Sequence, residues 1–247
     1  MEPDAGLSAA QLLDVIDAAD GGDAALRGRV LARAACPELS AEQLDGLSLG
    51  QRDAQILALR CATFGDTLPA RVTCRHCGLR LSVKVPREHL TPDGAGGADP
   101  VRLEESAVVV EARMPDGAVL ARAAACPDAA SARRALIAGC VVSATDDGQP
   151  VDPLALGAGL LERLGEALVA ADPQAEVRVP VQCAGCAAEW SPVFDVTHFL
   201  WNELTATSVQ LLDEVHQLAV AYGWSEEQIL RLPSRRRRRY VERLADD

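Results

Sequence analysis

The stretch RVTCRHCGLRLSV, residues 71–83, sets Cys74 and Cys77 three apart between two runs in which apolar and polar residues alternate. Alternation with a period of two marks a half-buried strand, so the cysteines occupy the tip of a predicted hairpin. Two thiols presented in this way make half of a four-ligand metal site. The other half lies in VRVPVQCAGCAAEWSPVFDV, residues 177–196, where Cys183 and Cys186 repeat the spacing. Each segment runs strand, C-x-x-C, a small residue (Gly78 or Ala187), strand. Two such turns facing each other gather Cys74, Cys77, Cys183 and Cys186, and four thiolates in a tetrahedron are a common closed set for structural zinc.

Three other readings of these cysteines are weighed against zinc. A thioredoxin-type redox pair places C-x-x-C at a helix N-terminus, whereas both pairs here lie between strands. Metal-free core cysteines leave the matched spacing of two pairs unaccounted for. An iron–sulfur cluster or another metal that favours soft ligands competes within the metal reading itself. His76 reads as an exposed turn residue. Cys36, Cys61, Cys126 and Cys140 sit in Ala/Leu/Val surroundings and read as small core residues.

In ordinary zinc ribbons the two pairs lie about 15–20 residues apart, and the gap here is far longer. The intervening chain must therefore fold as a unit whose two ends lie close together, with the metal closing its base. The predicted fold class is α+β, with N-terminal helices, a four-cysteine zinc ribbon split by a long insertion, and a helical C-terminal tail. The corresponding segments are 1–66 (helices), 67–86 (first ribbon half), 87–176 (inserted α+β unit), 177–194 (second ribbon half) and 195–247 (helical docking region).

Composition permits this. At 247 residues, 49% apolar and 24% charged, the chain has the make-up of a globular protein with at least one full core. A net charge of −12 disfavours general affinity for nucleic acid. The N-terminal stretch is acidic and amphipathic, unlike a signal peptide, and no apolar run reaches the ~18–20 residues that span a bilayer. The reading is a protein made in the bacterial cytoplasm, where reduced thiols favour metal over disulfide.

Helix signals begin with Ser8 as a cap and Leu12, Val15, Ile16 and Ala19 on one face, ending at Gly21 and Gly22. Leu26, Val30 and Ala34 mark a second helix. Ser48 opens a third, carrying Ile56, Leu57, Leu59, Cys61 and Phe64. Residues 91–100, rich in Gly and Pro, predict a loop. In the insertion, residues 106–123 predict a hairpin turning at Asp116–Gly117, and residues 127–140 a short helix. DDGQP, residues 146–150, predicts a second turn, and Leu154, Leu161, Leu164 and Leu168 keep helical spacing. After Asp195 two successive helices are predicted, the second carrying Val209, Leu212, Val215, Ala219 and Tyr222. Ser225 and Gln228 spell a capping box, and Pro233 separates the last two helices.

Seven of the eight aromatic residues follow residue 189. Aromatic and arginine side chains are the types enriched as interface anchors, although a small helical unit also needs aromatics for its own core. This nominates Trp201, Tyr222, Trp224 and Tyr240, with Arg236 and Arg239 from the run Arg235–Arg239, for contact with a partner protein. No H-E-x-x-H, G-x-S-x-G, phosphate loop or dinucleotide fingerprint is present, and no catalytic constellation is visible. The chain reads as a non-enzyme.

Two passages together resemble a family of baseplate-associated proteins of contractile phage tails and phage-tail-like injection systems. One is QILALRCATFGDTLPARVTCRHCGLRLSVKV, residues 55–85. The other is FLWNEL, residues 199–204, followed by EVHQLAVAYGWSEEQILRLPSRRRRRYVERL, residues 214–244. The resemblance implies a structural or assembly part of a baseplate, surrounded by other tail proteins of a multi-subunit particle and lacking catalytic activity. It implies zinc at Cys74, Cys77, Cys183 and Cys186, and a terminal helical clip made by Tyr222, Trp224, Ile229, Leu232 and Tyr240. The five consecutive arginines depart from the family pattern. An assembly chaperone absent from the finished particle is the second reading, and a zinc-ribbon nucleic-acid-binding regulator the third.

Overall fold

The computed structural model describes residues 6–92 and 100–245. The predicted loop over 91–100 falls largely on residues 93–99, outside the described residues. The chain opens with α1 (Ala9–Ala18), α2 (Ala24–Ala35), α3 (Ala41–Asp45) and α4 (Leu49–Phe64). Strands β1 (Thr67–Thr73), β2 (Arg80–Pro86), β3 (Val101–Glu105) and β4 (Val108–Ala112) follow, then α5 (Gly117–Ala124) and α6 (Ala129–Cys140). Next come β5 (Val141–Asp146), β6 (Gln149–Pro150), α7 (Ala158–Ala171), β7 (Val181–Gln182) and β8 (Glu189–Trp190). The chain closes with α8 (Val196–Tyr222), α9 (Glu226–Leu230) and α10 (Ser234–Ala245). The fold class is α+β, as the sequence predicts.

The chain groups into two compact units, one of residues 1–35, 56–65 and 196–247, the other of residues 36–55 and 66–195. Both ribbon halves and the insertion fall in the second unit, and the N-terminal region is shared between the two. In the helical unit, α1, α2, α9 and α10 all pack on α8. Leu200, Leu204, Leu211 and Leu218, at helical spacing, bury one face of α8. Leu12, Leu13 and Val15 of α1 and Leu31 of α2 are buried in the same unit. In α2, Leu26, Val30 and Ala34 are only half-buried. The buried positions are Gly28, Leu31 and Ala32.

The two helices predicted after Asp195 are one helix. No Gly or Pro interrupts it, and the hydroxyls of Thr205, Thr207 and Ser208 donate back to the carbonyls of Trp201, Glu203 and Thr205 at 2.8, 2.8 and 2.9 Å. Its buried face also differs from the predicted one, since Val209 and Leu212 are exposed.

The second unit is built on a four-stranded antiparallel sheet in the order β3-β4-β5-β6. Val110 and Ala112 of β4 and Ala144 of β5 meet Leu160 and Leu164 of α7 in its core. The hairpin predicted at Asp116–Gly117 lies ten residues earlier. β3 pairs with β4 around Ser106, which takes φ +56°. Asp116 instead caps α5, its carboxylate accepting the Val119 N–H at 2.8 Å. The DDGQP turn forms as read, with positive φ at Asp147 and Gly148 joining β5 to β6.

The ends of the insertion do meet. Gln174 Nε2, just before the second ribbon half, donates to the Leu90 carbonyl just after the first at 3.1 Å. Asp172, at the end of α7, accepts the Gly50 N–H in the first turn of α4 at 2.9 Å. A Cβ at Gly50 would lie 1.8 Å from Asp172 Oδ1, so glycine is required there.

Candidate functional site

β1 and β2 pair in register from Thr67↔Pro86 to Thr73↔Arg80, and the Cys74–Cys77 turn closes that hairpin. β7 and β8 pair through Gln182↔Glu189 and are closed by Cys183–Cys186. The two turns share one hydrogen-bond plan. In the first, Cys74 N–H donates to the Leu79 carbonyl and Gly78 N–H to the Cys74 carbonyl, both at 2.9 Å. In the second, Cys183 N–H donates to the Ala188 carbonyl and Ala187 N–H to the Cys183 carbonyl, again at 2.9 Å. The closing residue takes a left-handed conformation in both, φ +75° at Gly78 and +57° at Ala187. Glycine adopts this conformation freely, whereas alanine is strained there.

All four sulfurs lie within 4.8 Å of one another, making this the one group of its kind among the described residues. Cys74 Sγ is 3.7 Å from Cys186 Sγ, and Cys77 Sγ is 3.6 Å from Cys183 Sγ. Metal–sulfur bonds of ~2.3 Å in a regular tetrahedron require sulfurs about 3.8 Å apart, so the cluster has the dimensions of a four-thiolate site. Amide groups also face the sulfurs, His76 N–H donating to Cys74 Sγ and Gly185 N–H to Cys183 Sγ at 3.4 Å each. The His76 side chain is exposed and stands outside the cluster. A Cβ at Gly185 would meet Leu79 Cδ2 at 2.9 Å, so Leu79 lies across that side of the site.

The electrostatics of the four thiols are divided. The Cys186 and Gly185 amides lower Cys183 to about 6 against desolvation. The Cys77 amide lowers Cys74. The Ala188 amide also favours the Cys186 thiolate, but burial and the sulfurs of Cys77, Cys183 and Cys74 outweigh it and push that thiol up to about 12. At Cys77 the Leu79 amide is likewise outweighed, chiefly by Cys183, and the thiol is raised. Four thiolates at this separation repel one another, and a bound dication is what lets all four ionise together. The donor set fits a tetrahedral metal that prefers soft ligands.

The remaining cysteines do not join this cluster. Cys36, Cys61 and Cys140 are buried, and Cys126 is half-buried, so the core reading holds less well there. Burial pushes the Cys140 thiol up to about 11.

The nominated partner-contact residues divide by exposure. Trp201 is 7% exposed and Ile229 is fully buried, so both lie in the core of the helical unit, under its surface. The Arg27 guanidinium covers the Trp201 ring, 5.1 Å from its centroid. Leu232 is half-buried, while Arg236 and Arg239 are exposed. Tyr222, Trp224 and Tyr240 form an aromatic cluster at the α8–α9 corner. Tyr222 stacks on Trp224 with centroids 4.8 Å apart, and Tyr240 stands edge-on to both at 5.8 and 5.1 Å.

Two arginines that sequence reasoning did not single out fix this unit. Arg60, 1% exposed, grips Glu203 of α8 with two hydrogen bonds of 2.8 Å and donates to the Gly65 carbonyl at 2.6 Å. Its guanidinium lies near the rings of Phe64 and Phe199. Arg237, in the middle of the arginine run, is buried and donates to Glu214 at 2.7 Å and to the Leu232 carbonyl at 2.9 Å. The run is therefore one buried anchor flanked by exposed cations, which a string of identical letters does not reveal.

The model of one protein family, described as T4 bacteriophage base plate protein, matches residues 33–201. The match spans both cysteine turns and the insertion and stops before the Tyr222–Tyr240 stretch. No curated protein and no solved structure matches the chain. Among the described residues no helix is long and apolar enough to cross a membrane.

Proposed function

The chain belongs to the T4 bacteriophage base plate protein family, and from that premise we propose that it is a non-enzymatic baseplate component of a phage-tail-like contractile injection system, stapled by one structural zinc. The observation that carries this reading is the coincidence of the family match with the four-cysteine cluster, since both turns that build the cluster lie inside the matched region. Cys74, Cys77, Cys183 and Cys186 hold the ion, and each side of the insertion contributes two ligands. Zinc has no redox chemistry, and a closed four-thiolate shell leaves no position for substrate, so the ion's role is to hold the ends of the insertion together.

The helical unit is the docking part. Tyr222, Trp224 and Tyr240 supply an aromatic corner, and Arg236 and Arg239 supply exposed cations beside it, which suits an acidic surface on another tail protein. Trp201 and Ile229 serve by keeping the unit packed. Assembly takes place in the bacterial cytoplasm.

Gradient sedimentation of lysate from the native host, with fractions probed for this protein and for a sheath protein, tests the reading. A fixed ratio of the two in the sheathed fractions is the expected result. Recovery only in light fractions, while particle formation still requires the gene, would overturn it in favour of an assembly chaperone.

A further inference from the structure

A groove of about 490 Å³ opens on the helical unit, bounded by the first turn of α1, the end of α4, the middle of α8 and the α9–α10 corner. Leu12, Leu211, Leu230 and Leu232 give it an apolar floor. Its charged lining is three arginines, Arg231, Arg237 and Arg238, against one carboxylate, Glu214. Glu214 is already committed, since it accepts from Arg237 Nε at 2.7 Å and lies 4.0 Å from Arg238. Arg237 is 4% exposed and uses Nε and Nη1 in bonds to Glu214 and the Leu232 carbonyl, so its position is fixed. Among the described residues its Nη2 has no hydrogen-bond partner. A buried guanidinium with an open donor, lining a leucine-floored groove of net positive charge, is half of a charge-assisted hydrogen bond.

We propose that this groove receives a segment of another tail protein in which a carboxylate stands beside a leucine-type side chain. The apolar side chain covers the leucine floor, and the carboxylate meets Arg237 Nη2 and Arg238. Neither half of the groove takes a simpler occupant as well. An inorganic anion leaves the leucine floor wet, and an uncharged apolar segment buries an arginine donor unpaired. The proposal rests on the reading of the protein as a baseplate component and deepens its docking part. The groove is distinct from the Tyr222–Trp224–Tyr240 corner, none of whose residues lines it.

The test uses the full chain and two synthetic probes, acetyl-Asp-Leu-Asp-Leu with a free terminus and its uncharged counterpart acetyl-Asn-Leu-Asn-Leu-amide. Amide and arginine Nε shifts are followed by NMR. The acidic probe is expected to give saturable shifts at Arg237, Arg238 and Leu232, with affinity at least about tenfold above the neutral one, the worth of one charge-assisted bond. Arg238→Ala, at an exposed side chain, is expected to weaken binding several-fold with the fold intact. Arg237→Lys keeps a cation for Glu214 while losing the open donor, and is expected to weaken it similarly. Equal binding of both probes, inorganic phosphate competing as well as the acidic probe, unchanged affinity in folded Arg238→Ala, or no shift at the groove would each overturn the proposal. Because the probes are read on the isolated protein, this failure is separable from failure to co-sediment with sheathed particles.

Discussion

Replacing Cys74 and Cys183 together by serine takes one ligand from each turn and removes the ion. The resulting loss of stability follows from topology. Cys77 and Cys183 have 105 residues between them, so a metal held by all four cysteines would close a loop of that length. In the chain-entropy account, closing a loop of about 100 residues restricts the unfolded chain by about 4.7 kcal/mol. The unit that carries the loop has about 150 residues, a size at which each kcal/mol moves the melting midpoint by about 2–4 °C, so the variant should melt roughly 10–20 °C lower. The assay is differential scanning calorimetry beside elemental analysis, with and without a strong chelator. Wild type should contain one ion per chain, and the chelator should lower its midpoint as the substitutions do. The chelator should leave the variant unchanged. A metal-free variant that melts where wild type does would refute the staple, because the insertion would then be closed by Gln174–Leu90 and Asp172–Gly50 alone.

Three further outcomes follow from the same geometry. Ala187→Gly should stabilise the protein by up to about 1 kcal/mol in chemical denaturation, because the residue sits at φ +57°, while Gly78→Ala at φ +75° should destabilise it by about as much. Arg60→Ala should lower stability by about 3–5 kcal/mol by leaving Glu203 without its partner, and a double-mutant cycle with Glu203→Gln should recover a large part of that as coupling. Asp53, raised to about 6 mainly by burial against the opposing pull of Arg52, holds a proton in the folded state between about pH 4 and 6 that the unfolded state has released. Stability therefore falls as pH rises through that window, and Asp53→Asn should be more stable than wild type at pH 7–8 by up to about 3 kcal/mol and lose the advantage below pH 4.

The cysteine site was legible in the sequence because its signal is local and duplicated. Two C-x-x-C turns flanked by alternating residues specify two hairpin tips, and no other group in the chain competes for them. The capping box at Ser225 was legible for the same reason, since the cap and its glutamine stand three apart, whereas Ser8 was read as a cap without the Gln11 that completes its box. The same spelling at Ser40 and Gln43 opens the five-residue α3, too short to show a periodic apolar face. Asp116–Gly117 misled because an Asp-Gly pair serves a hairpin or a helix start equally well. The alanine-rich residues after it, which suit a helix, decide between them. The long α8 hid its own phase. Both Leu200–Leu204–Leu211–Leu218 and Val209–Leu212–Val215–Ala219 keep helical spacing, and only the helices packed on the first set distinguish core from surface. Arg60 and Arg237 had no signal at all, because the carboxylates that pair with them, Glu203 and Glu214, lie more than twenty residues away in the chain.

The split ribbon also constrains how the fold is completed. Neither cysteine turn can saturate a tetrahedral ion alone, and the two halves are separated by a complete unit of sheet and helix. In the folded protein the second pair stands beside the first where β3–β4–β5–β6 and α7 pack and Leu90 and Gln174 come within hydrogen-bond distance. An ion held by both pairs is therefore expected to report on a closed insertion, unlike a ribbon with a short gap, where the metal organises a local loop. An ion held there is expected to slow unfolding more than it speeds folding, because opening the insertion separates its two ligand pairs. In the proposed baseplate component, such an ion would oppose loosening of the insertion once the subunit is in place, which suits a subunit that must present a fixed surface to its neighbours.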